Sequence, residues 1–374
     1  MNILYLYTEV MGYNLPIFEQ LATEYGATVH VVRWTNNKLT PFVPVVSERV
    51  HYYDRSSFTS TTLLDFARDL KPSLVYISGW QDKGYLPVAR LLKTQGTPVV
   101  TGLDSQWFGT PRQKIGALLI RYWFKKRYFS HAWVPGPLQY EYAARIGFLK
   151  TEIIANLLSG NVTLFSQAAT TLSVEKRKHY PKQFLYVGRF AEAKGIDLLI
   201  RAYSLYQARY NGAWTLKCIG NGPMHTRLLQ AQKKDPSISI EPFSDQSTLV
   251  AQAVGAGAFI LPSRYEPWGV VVHEFACAGL PLILSDKVGS KSQFLIEGYN
   301  GYSCGDDSVE QLALAMHRLS LLSDEKLLQM GQRSAQLASV LNPNIATASL
   351  MSLIPDAAHA VPSAQDGETI RSGT

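Results

Sequence analysis

Short apolar runs typical of β-strands alternate with segments of helical spacing along most of this 374-residue chain. Strand-like runs at residues 2–8 (NILYLYT) and 28–34 (TVHVVRW) flank a segment in which Leu15, Phe18 and Leu21 recur at helical spacing. The same alternation continues through the first third of the chain. Repeated βαβ units predict a parallel, doubly wound α/β sheet with helices on both faces.

A second α/β series follows a polar stretch at residues 170–182 (TTLSVEKRKHYPK), where the apolar rhythm lapses. A linker is expected at this stretch or slightly before it. A strand is predicted at residues 184–187, with further strands and helices after it. At about 150 residues per domain, the length fits two domains and a tail. We expect an N-terminal domain at 1–165, a C-terminal domain at 166–354 whose last helix packs back on the first domain, and a disordered tail at 355–374.

Charge and cysteine content indicate which binding partners and which cellular compartment to expect. The 36 Lys and Arg against 29 Asp and Glu leave a net charge of +7, which favours phosphorylated small molecules, nucleic acid or an anionic membrane as partners. No nucleic-acid-binding motif occurs, so no nucleic-acid partner is expected. Cys218, Cys277 and Cys304 are far apart and predict buried thiols. With no basic leader before the first strand, a cytoplasmic protein is expected.

The strongest local motif is SRYEPWGVVVHEFACAGLP at residues 263–281. Pro267 and Gly269 break the chain between a strand and a helix, so the first N–H groups of that helix are free to face an anion or sugar hydroxyls. Glu266 on the loop and Glu274 one turn into the helix can reach one cavity, and paired carboxylates suit vicinal diols. A surface helix with a solvated glutamate is the alternative.

A second cluster, YVGRFAEAKG at residues 186–195, places Arg189 at the end of a strand and Lys194 at the start of the next helix. The planar guanidinium of Arg189 and the compact ammonium of Lys194 can together bind a diphosphate. The alternative interpretation is a pair of solvated cations at the edge of a strand. Gly220 opens a tight turn, GNGP, after the next strand. No complete dinucleotide-binding glycine motif and no P-loop occurs, so nicotinamide, flavin and ATPase chemistry are not expected.

Together with GYNG at residues 298–301, these motifs resemble the retaining glycosyltransferases of the GT-B fold, glycosyltransferase family four. The resemblance is specific over residues 184–302 and weaker, though consistent in order, over 1–148. It implies two tandem Rossmann-like domains around a cleft. A nucleotide-sugar donor would bind to the C-terminal domain and an acceptor to the N-terminal domain.

The resemblance also implies roles for individual residues. Arg189 and Lys194 would hold the donor diphosphate, and Glu266 with the backbone amides of residues 268–270 would hold the donor sugar. Glu274 would bind the ribose hydroxyls, and backbone near residues 240–243 would read the base. The expected donor-binding residues are Gly12, Arg189, Lys194, Gly220, Glu266, Pro267, Trp268, Gly269, Val270 and Glu274.

Two departures from the family pattern lie in the N-terminal half. The glycine pair of the first βα loop is reduced to Gly12, and the place of the family's histidine is taken by Leu103 or Asp104. An aspartate at a strand's carboxyl end can orient the acceptor hydroxyl or accept its proton, and a loop or helix-capping carboxylate is the alternative. The expected catalytic residues are therefore Asp104, Glu266, Arg189 and Lys194.

The implied reaction transfers a sugar, with retention, from a nucleotide-diphosphate sugar to a glycan or lipid-linked acceptor in cell-surface polysaccharide biosynthesis. No Asp-x-Asp triplet occurs, so neither a metal nor another cofactor is expected. The alternative is a non-catalytic GT-B partner subunit that binds a sugar nucleotide. A sugar-nucleotide epimerase on the same architecture fits the motif set less well.

Residues 115–129 (IGALLIRYWFKKRYF) allow two interpretations. Apolar and aromatic residues followed by a cluster of cations suit an anionic membrane surface, which would place the enzyme peripherally on the inner face of the membrane. Alternatively, this is a packed crossover helix whose terminal cations complement the helix dipole.

Overall fold

A computed structural model describes residues 1–34 and 47–355 of the chain. All but the first residue of the predicted disordered tail at 355–374 therefore lies outside the described residues.

The three cysteines are buried and free, as predicted.

The N-terminal half forms a seven-stranded parallel sheet in the order β3-β2-β1-β4-β5-β6-β7. Its strands are β1 (Asn2–Leu6), β2 (Thr28–Arg33), β3 (Val50–Asp54), β4 (Leu74–Ile77), β5 (Val99–Gly102), β6 (His131–Trp133) and β7 (Ile153–Ile154). Its helices are α1 (Leu15–Thr23), α2 (Ser60–Leu70), α3 (Leu86–Thr94), α4 (Pro111–Leu119), α5 (Lys125–Tyr128) and α6 (Pro137–Arg145). A π-helical segment, Ile120–Phe124, joins α4 to α5.

The C-terminal half forms a six-stranded parallel sheet in the order β10-β9-β8-β11-β12-β13. Its strands are β8 (Gln183–Val187), β9 (Thr215–Ile219), β10 (Ile238–Glu241), β11 (Ala258–Leu261), β12 (Leu282–Ser285) and β13 (Gly301–Cys304). Its helices are α7 (Val162–Lys178), α8 (Ile196–Tyr210), α9 (His225–Lys234), α10 (Gln246–Val254), α11 (Val270–Cys277), α12 (Lys291–Phe294), α13 (Val309–Ser320), α14 (Asp324–Ser339) and α15 (Pro343–Met351).

The expected architecture of two tandem doubly wound sheets is confirmed. Strands β4, β11 and β12 are buried along their whole length, because helices cover both faces of each sheet. The C-terminal half has one large hydrophobic core, and the N-terminal half has one core on each face of its sheet. Helix α15 packs against α1, and its Ala346, Leu350 and Met351 belong to one of the N-terminal cores.

One of the two positions expected for the linker is wrong. A linker within the polar stretch at residues 170–182 is ruled out, because α7 continues to Lys178. The irregular connection lies slightly before it, at residues 155–161 between β7 and α7. Helix α7 packs against α10, α11 and α14. A helix that covers one face of a sheet needs only a narrow apolar stripe, so its overall polarity imitates a linker.

Candidate functional site

A cavity of about 540 Å³ lies between the two sheets, at the carboxyl ends of their strands. This volume is in the range of small-molecule sites, and the carboxyl edge is where open α/β sheets bind ligands. The sequence-predicted residues that line it are Gly12, Asp104, Arg189, Lys194, Glu266, Pro267, Trp268, Gly269, Val270 and Glu274. Residues from both halves of the chain therefore meet at one site, here called the cleft cavity.

Gly220 does not line the cleft cavity but supports a residue that does. Its φ is +155°, and a Cβ at this position would lie 2.0 Å from the carbonyl oxygen of Gly188. Gly188 lines the cavity directly after β8. Gly220 thus lets the ends of β8 and β9 approach closely, which any larger residue would prevent.

Lys194 and Glu266 form an ion pair in the cleft cavity, with Lys194 Nζ 2.6 Å from Glu266 Oε2. Lys194 ends a short 3-10 turn that follows β8, and Glu266 lies on the loop after β11. The two loops are held together because the N–H of Tyr265 donates to the carbonyl of Ala193 at 3.0 Å. The positive charge is therefore fixed in position without a ligand.

Arg189 lies at the carboxyl end of β8 with an exposed side chain. Its backbone is fixed, since its carbonyl accepts hydrogen bonds from the Tyr186 hydroxyl at 3.0 Å and from the N–H of Ala191 at 2.9 Å. Within residues 1–34 and 47–355, no carboxylate pairs with its guanidinium. A fixed backbone and a guanidinium with no carboxylate partner among the described residues suit a bidentate contact with an anionic ligand.

The amino end of α11 opens onto the cleft cavity. Its N-cap residue, Gly269, has a φ of +91°, and no side chain among the described residues caps the helix. The first N–H groups of a helix carry partial positive charge and have no partner within the helix. This end of α11 can therefore donate to a phosphate or to sugar hydroxyls.

Glu274 is buried one turn into α11, and burial raises its pKa to about 7. Gln246 Nε2 donates a hydrogen bond to Glu274 Oε1 at 2.6 Å. The same Gln246 side chain approaches Gly12, where a Cβ would lie 3.0 Å from Gln246 Oε1. Gly12 therefore allows the first loop of the N-terminal half to come close to the Glu274 side of the cavity.

Leu103 and Asp104, the two candidates for the position of the family's histidine, have different environments. Leu103 is buried in an N-terminal core, whereas the Asp104 side chain is exposed at the cleft cavity. Partial desolvation by the surrounding walls raises the pKa of Asp104. Asp104 is thus the carboxylate that the N-terminal half presents to a ligand in the cavity.

Two glutamines that the sequence analysis did not identify connect the two halves. Gln106 Nε2 donates to the carbonyls of Glu266 at 2.9 Å and of Pro267 at 3.1 Å, and Gln139 Nε2 donates to Pro267 at 2.5 Å. Both side chains are buried. They are uncharged and belong to no motif, so the only signal in the sequence is their place on the segments that follow β5 and β6.

His273, next to Glu274, has a structural role. Its Nδ1 accepts from the N–H of Gly160 at 2.8 Å, and its Nε2 lies 2.9 Å from the carbonyl of Ala338. Burial lowers its pKa to about 4, so the ring is neutral near pH 7. The ring therefore ties the chain segment before α7 to the end of α14.

In the part of the chain that the structure describes, no group of three or more His, Cys, Asp or Glu side chains is arranged to hold a metal ion. Nor does any described helix combine the length and apolar character needed to cross a membrane.

Comparison with known proteins finds sequence similarity to glycosyltransferases in the C-terminal half. A family model described as "Glycosyl transferases group 1" matches residues 170–337. Glycogen synthase from Mycobacterium tuberculosis (strain H37Rv) is 34% identical over 159 residues, which are 42% of this chain and 37% of that protein. The chain thus spans less than two fifths of this curated relative.

Two solved structures resemble the whole chain. The Anabaena protein HepE in complex with UDP has a TM-score of 0.71 at 13% identity, covering 95% of this chain and 100% of that one. Sucrose-phosphate synthase from Thermosynechococcus elongatus has a TM-score of 0.70 at 19% identity, covering 95% and 98%. The fold is therefore that of the GT-B glycosyltransferases.

Proposed function

We propose that this protein is a glycosyltransferase whose donor is a nucleotide-diphosphate sugar. The observation that carries the proposal is the convergence in one cavity of the unpaired Arg189, the positioned Lys194 and the uncapped end of α11. Two cations and a helix amino end suit a diphosphate. Glu266 and Glu274 add carboxylates that can accept hydrogen bonds from the sugar and the ribose.

The proposed reaction is retaining and needs no metal. The bond between the anomeric carbon and the diphosphate oxygen breaks, and the acceptor oxygen bonds to that carbon on the same face. The proton of the acceptor hydroxyl moves to the departing diphosphate oxygen, which lies on that face. Arg189 and Lys194 stabilise the negative charge that develops on the departing diphosphate, which lowers the barrier because the charge is largest at and after the transition state. Asp104, on the opposite wall of the cavity, orients the acceptor hydroxyl.

The proposed acceptor is a glycan or a lipid-linked sugar in cell-surface polysaccharide biosynthesis. This part of the proposal rests on the family resemblance and on the aromatic character of the cleft's edge. Phe108 of the N-terminal half and Tyr265 of the C-terminal half pack there with ring centroids 5.6 Å apart, and both rings are partly exposed. Such rings suit stacking against a sugar or contact with a lipid chain.

Binding is tested first, by titration calorimetry with nucleoside diphosphates that differ in their base. Arg189→Ala should weaken binding of the preferred nucleotide by about tenfold or more, because a hydrogen bond to a charged group contributes about 1.5–3 kcal/mol. Arg90→Ala, at an exposed position on α3 outside the cavity lining, is the matched control. If no nucleoside diphosphate binds the unmodified protein, the proposal is wrong.

Turnover is tested separately, by release of nucleoside diphosphate from the matching nucleotide sugar. Slow release to water, accelerated by a suitable acceptor and unaffected by a chelator of divalent cations, is the expected result. Tight binding without any release would instead favour the non-catalytic sugar-nucleotide subunit. Loss of release on chelation would contradict the metal-independent mechanism.

A further inference from the structure

The helical segment from α4 to α5 has an apolar outer face that packing does not explain. Its members are Ile115, Leu118, Leu119, Tyr122 and Trp123, at spacings i, i+3, i+4, i+7 and i+8, and each is between 57% and 65% exposed. We call these five residues the docking face. The opposite side of the segment already supplies the core contacts, through the buried Ala117 and the partly buried Ile120 and Phe124.

Cations flank the docking face along the chain, and the segment itself contains no acid. Residues 111–128 contain six Lys or Arg and no Asp or Glu. The exposed ones are Arg112, Lys114, Arg121, Lys126 and Arg127. Lys125 differs, because its Nζ pairs with Glu152 at 2.6 Å. The segment therefore presents apolar side chains together with exposed positive charge.

The cations at the end of the segment are not needed to complete the helix. Lys93 Nζ donates to the carbonyls of Lys125 at 3.1 Å and of Lys126 and Phe129 at 2.7 Å, so these terminal carbonyls already have a positively charged partner. The side chains of Lys126 and Arg127 point to solvent instead. Arg127 also stacks over the Trp123 ring at 5.4 Å, which places charge and aromatic surface together.

From these observations we infer that the docking face binds the surface of a bilayer with anionic headgroups. Aliphatic side chains enter the acyl boundary, aromatic rings prefer the interface, and the flanking cations meet the headgroup charge. The charge pattern argues against a second copy of this chain as the occupant, because two such faces would repel. A nucleic-acid backbone has no apolar surface that could contact Ile115, Leu118 and Leu119.

The position of the docking face relates it to the cleft cavity. The segment begins at Pro111, only a short loop after Asp104 and Gln106, which face the other half of the molecule. Phe108, on that loop, is itself partly exposed. A bilayer bound by the docking face would lie beside the cleft's edge, where an amphiphilic acceptor can offer its headgroup. The inference about membrane binding itself does not depend on the proposed transfer reaction.

The test is co-sedimentation of the full chain with vesicles of phosphatidylcholine, with and without phosphatidylglycerol, in the absence of nucleotide. Binding should require the anionic lipid and weaken as salt is raised. The variant Lys126→Glu/Arg127→Glu should lower the partition coefficient at least about fivefold for each cation removed, since one cation near such a surface contributes about 1 kcal/mol. Leu119→Ser/Trp123→Ser should abolish binding.

Matched controls are Lys233→Glu/Lys234→Glu on α9 and Leu321→Ser, at exposed positions in the C-terminal half. Both should bind vesicles like the unmodified protein.

Quenching of tryptophan fluorescence by brominated lipid should decrease in Trp123→Phe, which separates insertion from loose electrostatic contact. Absence of vesicle binding, equal losses in the controls, or a dimer that Leu119→Ser/Trp123→Ser dissociates without any vesicle binding would overturn the inference. Nucleotide binding is measured on the same samples. A protein that binds nucleotide but no vesicles would contradict the membrane inference and leave the proposed function intact.

Discussion

Lys194 Nζ lies 2.6 Å from Glu266 Oε2, and the two residues come from loops that follow neighbouring strands, β8 and β11. Both side chains are largely shielded from solvent, with exposed fractions of 26% and 12%. A charge held in place before the ligand arrives needs no reorganisation during the reaction, which is the condition under which electrostatic stabilisation is most effective. The ion pair therefore holds Lys194 in a fixed position within the cleft cavity.

Replacing Lys194 with methionine keeps most of the side chain's length and removes its charge. We expect nucleoside diphosphate affinity to fall about tenfold or more, with a much smaller change for the nucleoside alone. Titration calorimetry with both ligands measures the difference. Lys182→Met is the control, because Lys182 pairs with Asp324 at an exposed surface. A similar loss for nucleoside and diphosphate would show that Lys194 does not bind phosphate.

Gln106 and Gln139 hold the loop that carries Glu266. The double variant Gln106→Leu/Gln139→Leu keeps side-chain volume but removes the amides that donate to the Pro267 carbonyl. We expect a loss of about 1–3 kcal/mol in the free energy of unfolding, the cost of a buried acceptor left without a partner. Urea unfolding measures it.

The same double variant should raise the KM for the nucleotide sugar, because the loop of Glu266 and Pro267 loses its tether to the N-terminal half. Gln95→Leu, at an exposed position after α3, should change neither the stability nor the KM. An unchanged KM alongside the expected loss of stability would limit the two glutamines to a structural role.

The sequence predicted the fold and ten of the 22 residues that line the cleft cavity, because both depend on local patterns. Buried strands such as β1 and β11 are continuous apolar runs, and Arg189, Lys194, Glu266 and Glu274 lie in compact motifs at strand ends. Topology then brings strand ends to one edge without any need to know individual contacts. Asp104 was one of two candidates, with Leu103, for the position that the family's histidine takes after a strand.

The features that were missed depend on tertiary contacts. Strand β3 lies at a sheet edge with half-exposed aromatic residues, so it has no apolar run, and α7 is too polar to be distinguished from a linker. Gln106 contacts carbonyls about 160 residues away, and no local pattern encodes this. The exposure of the docking face was equally inaccessible, because an apolar helix has the same sequence signal whether its outer side is covered or not.

Gly269 is required by its backbone conformation. At a φ of +91°, alanine is strained, and its Cβ would lie 3.1 Å from Glu266 Cγ. Gly269→Ala should therefore cost about 1–2 kcal/mol of stability and weaken nucleotide-sugar binding by displacing Glu266. Gly116→Ala, inside α4 with nothing within 4 Å of the added Cβ, should raise stability by about 0.5–1 kcal/mol. Thermal unfolding should show these opposite signs, and a stable Gly269→Ala would contradict the argument.

Glu274 should make stability depend on pH. Burial raises its pKa from 4.5 to about 7, so the folded protein holds this proton more tightly than the unfolded chain. Stability should therefore fall as the pH rises from about 4.5 to about 7 and then stay lower, by about 3 kcal/mol for this group alone. Glu274→Gln should be more stable than the unmodified protein at about pH 8 and similar to it at about pH 4.5, whereas Glu325→Gln, exposed on α14, should show no such difference.

Glu274 should also link nucleotide-sugar binding to proton release. Ribose hydroxyls donate to a carboxylate, so the ligand favours the ionised form of Glu274 and lowers its pKa. Affinity should rise as the pH increases from about 6 to about 8, with release of a proton, because the diphosphate of a nucleotide sugar does not titrate in this range. Calorimetry in buffers of different ionisation enthalpy measures the release. Glu274→Gln should bind without it, while Glu325→Gln should retain it. Release that persists in Glu274→Gln would assign the proton to another group and remove the argument for a ribose contact at Glu274.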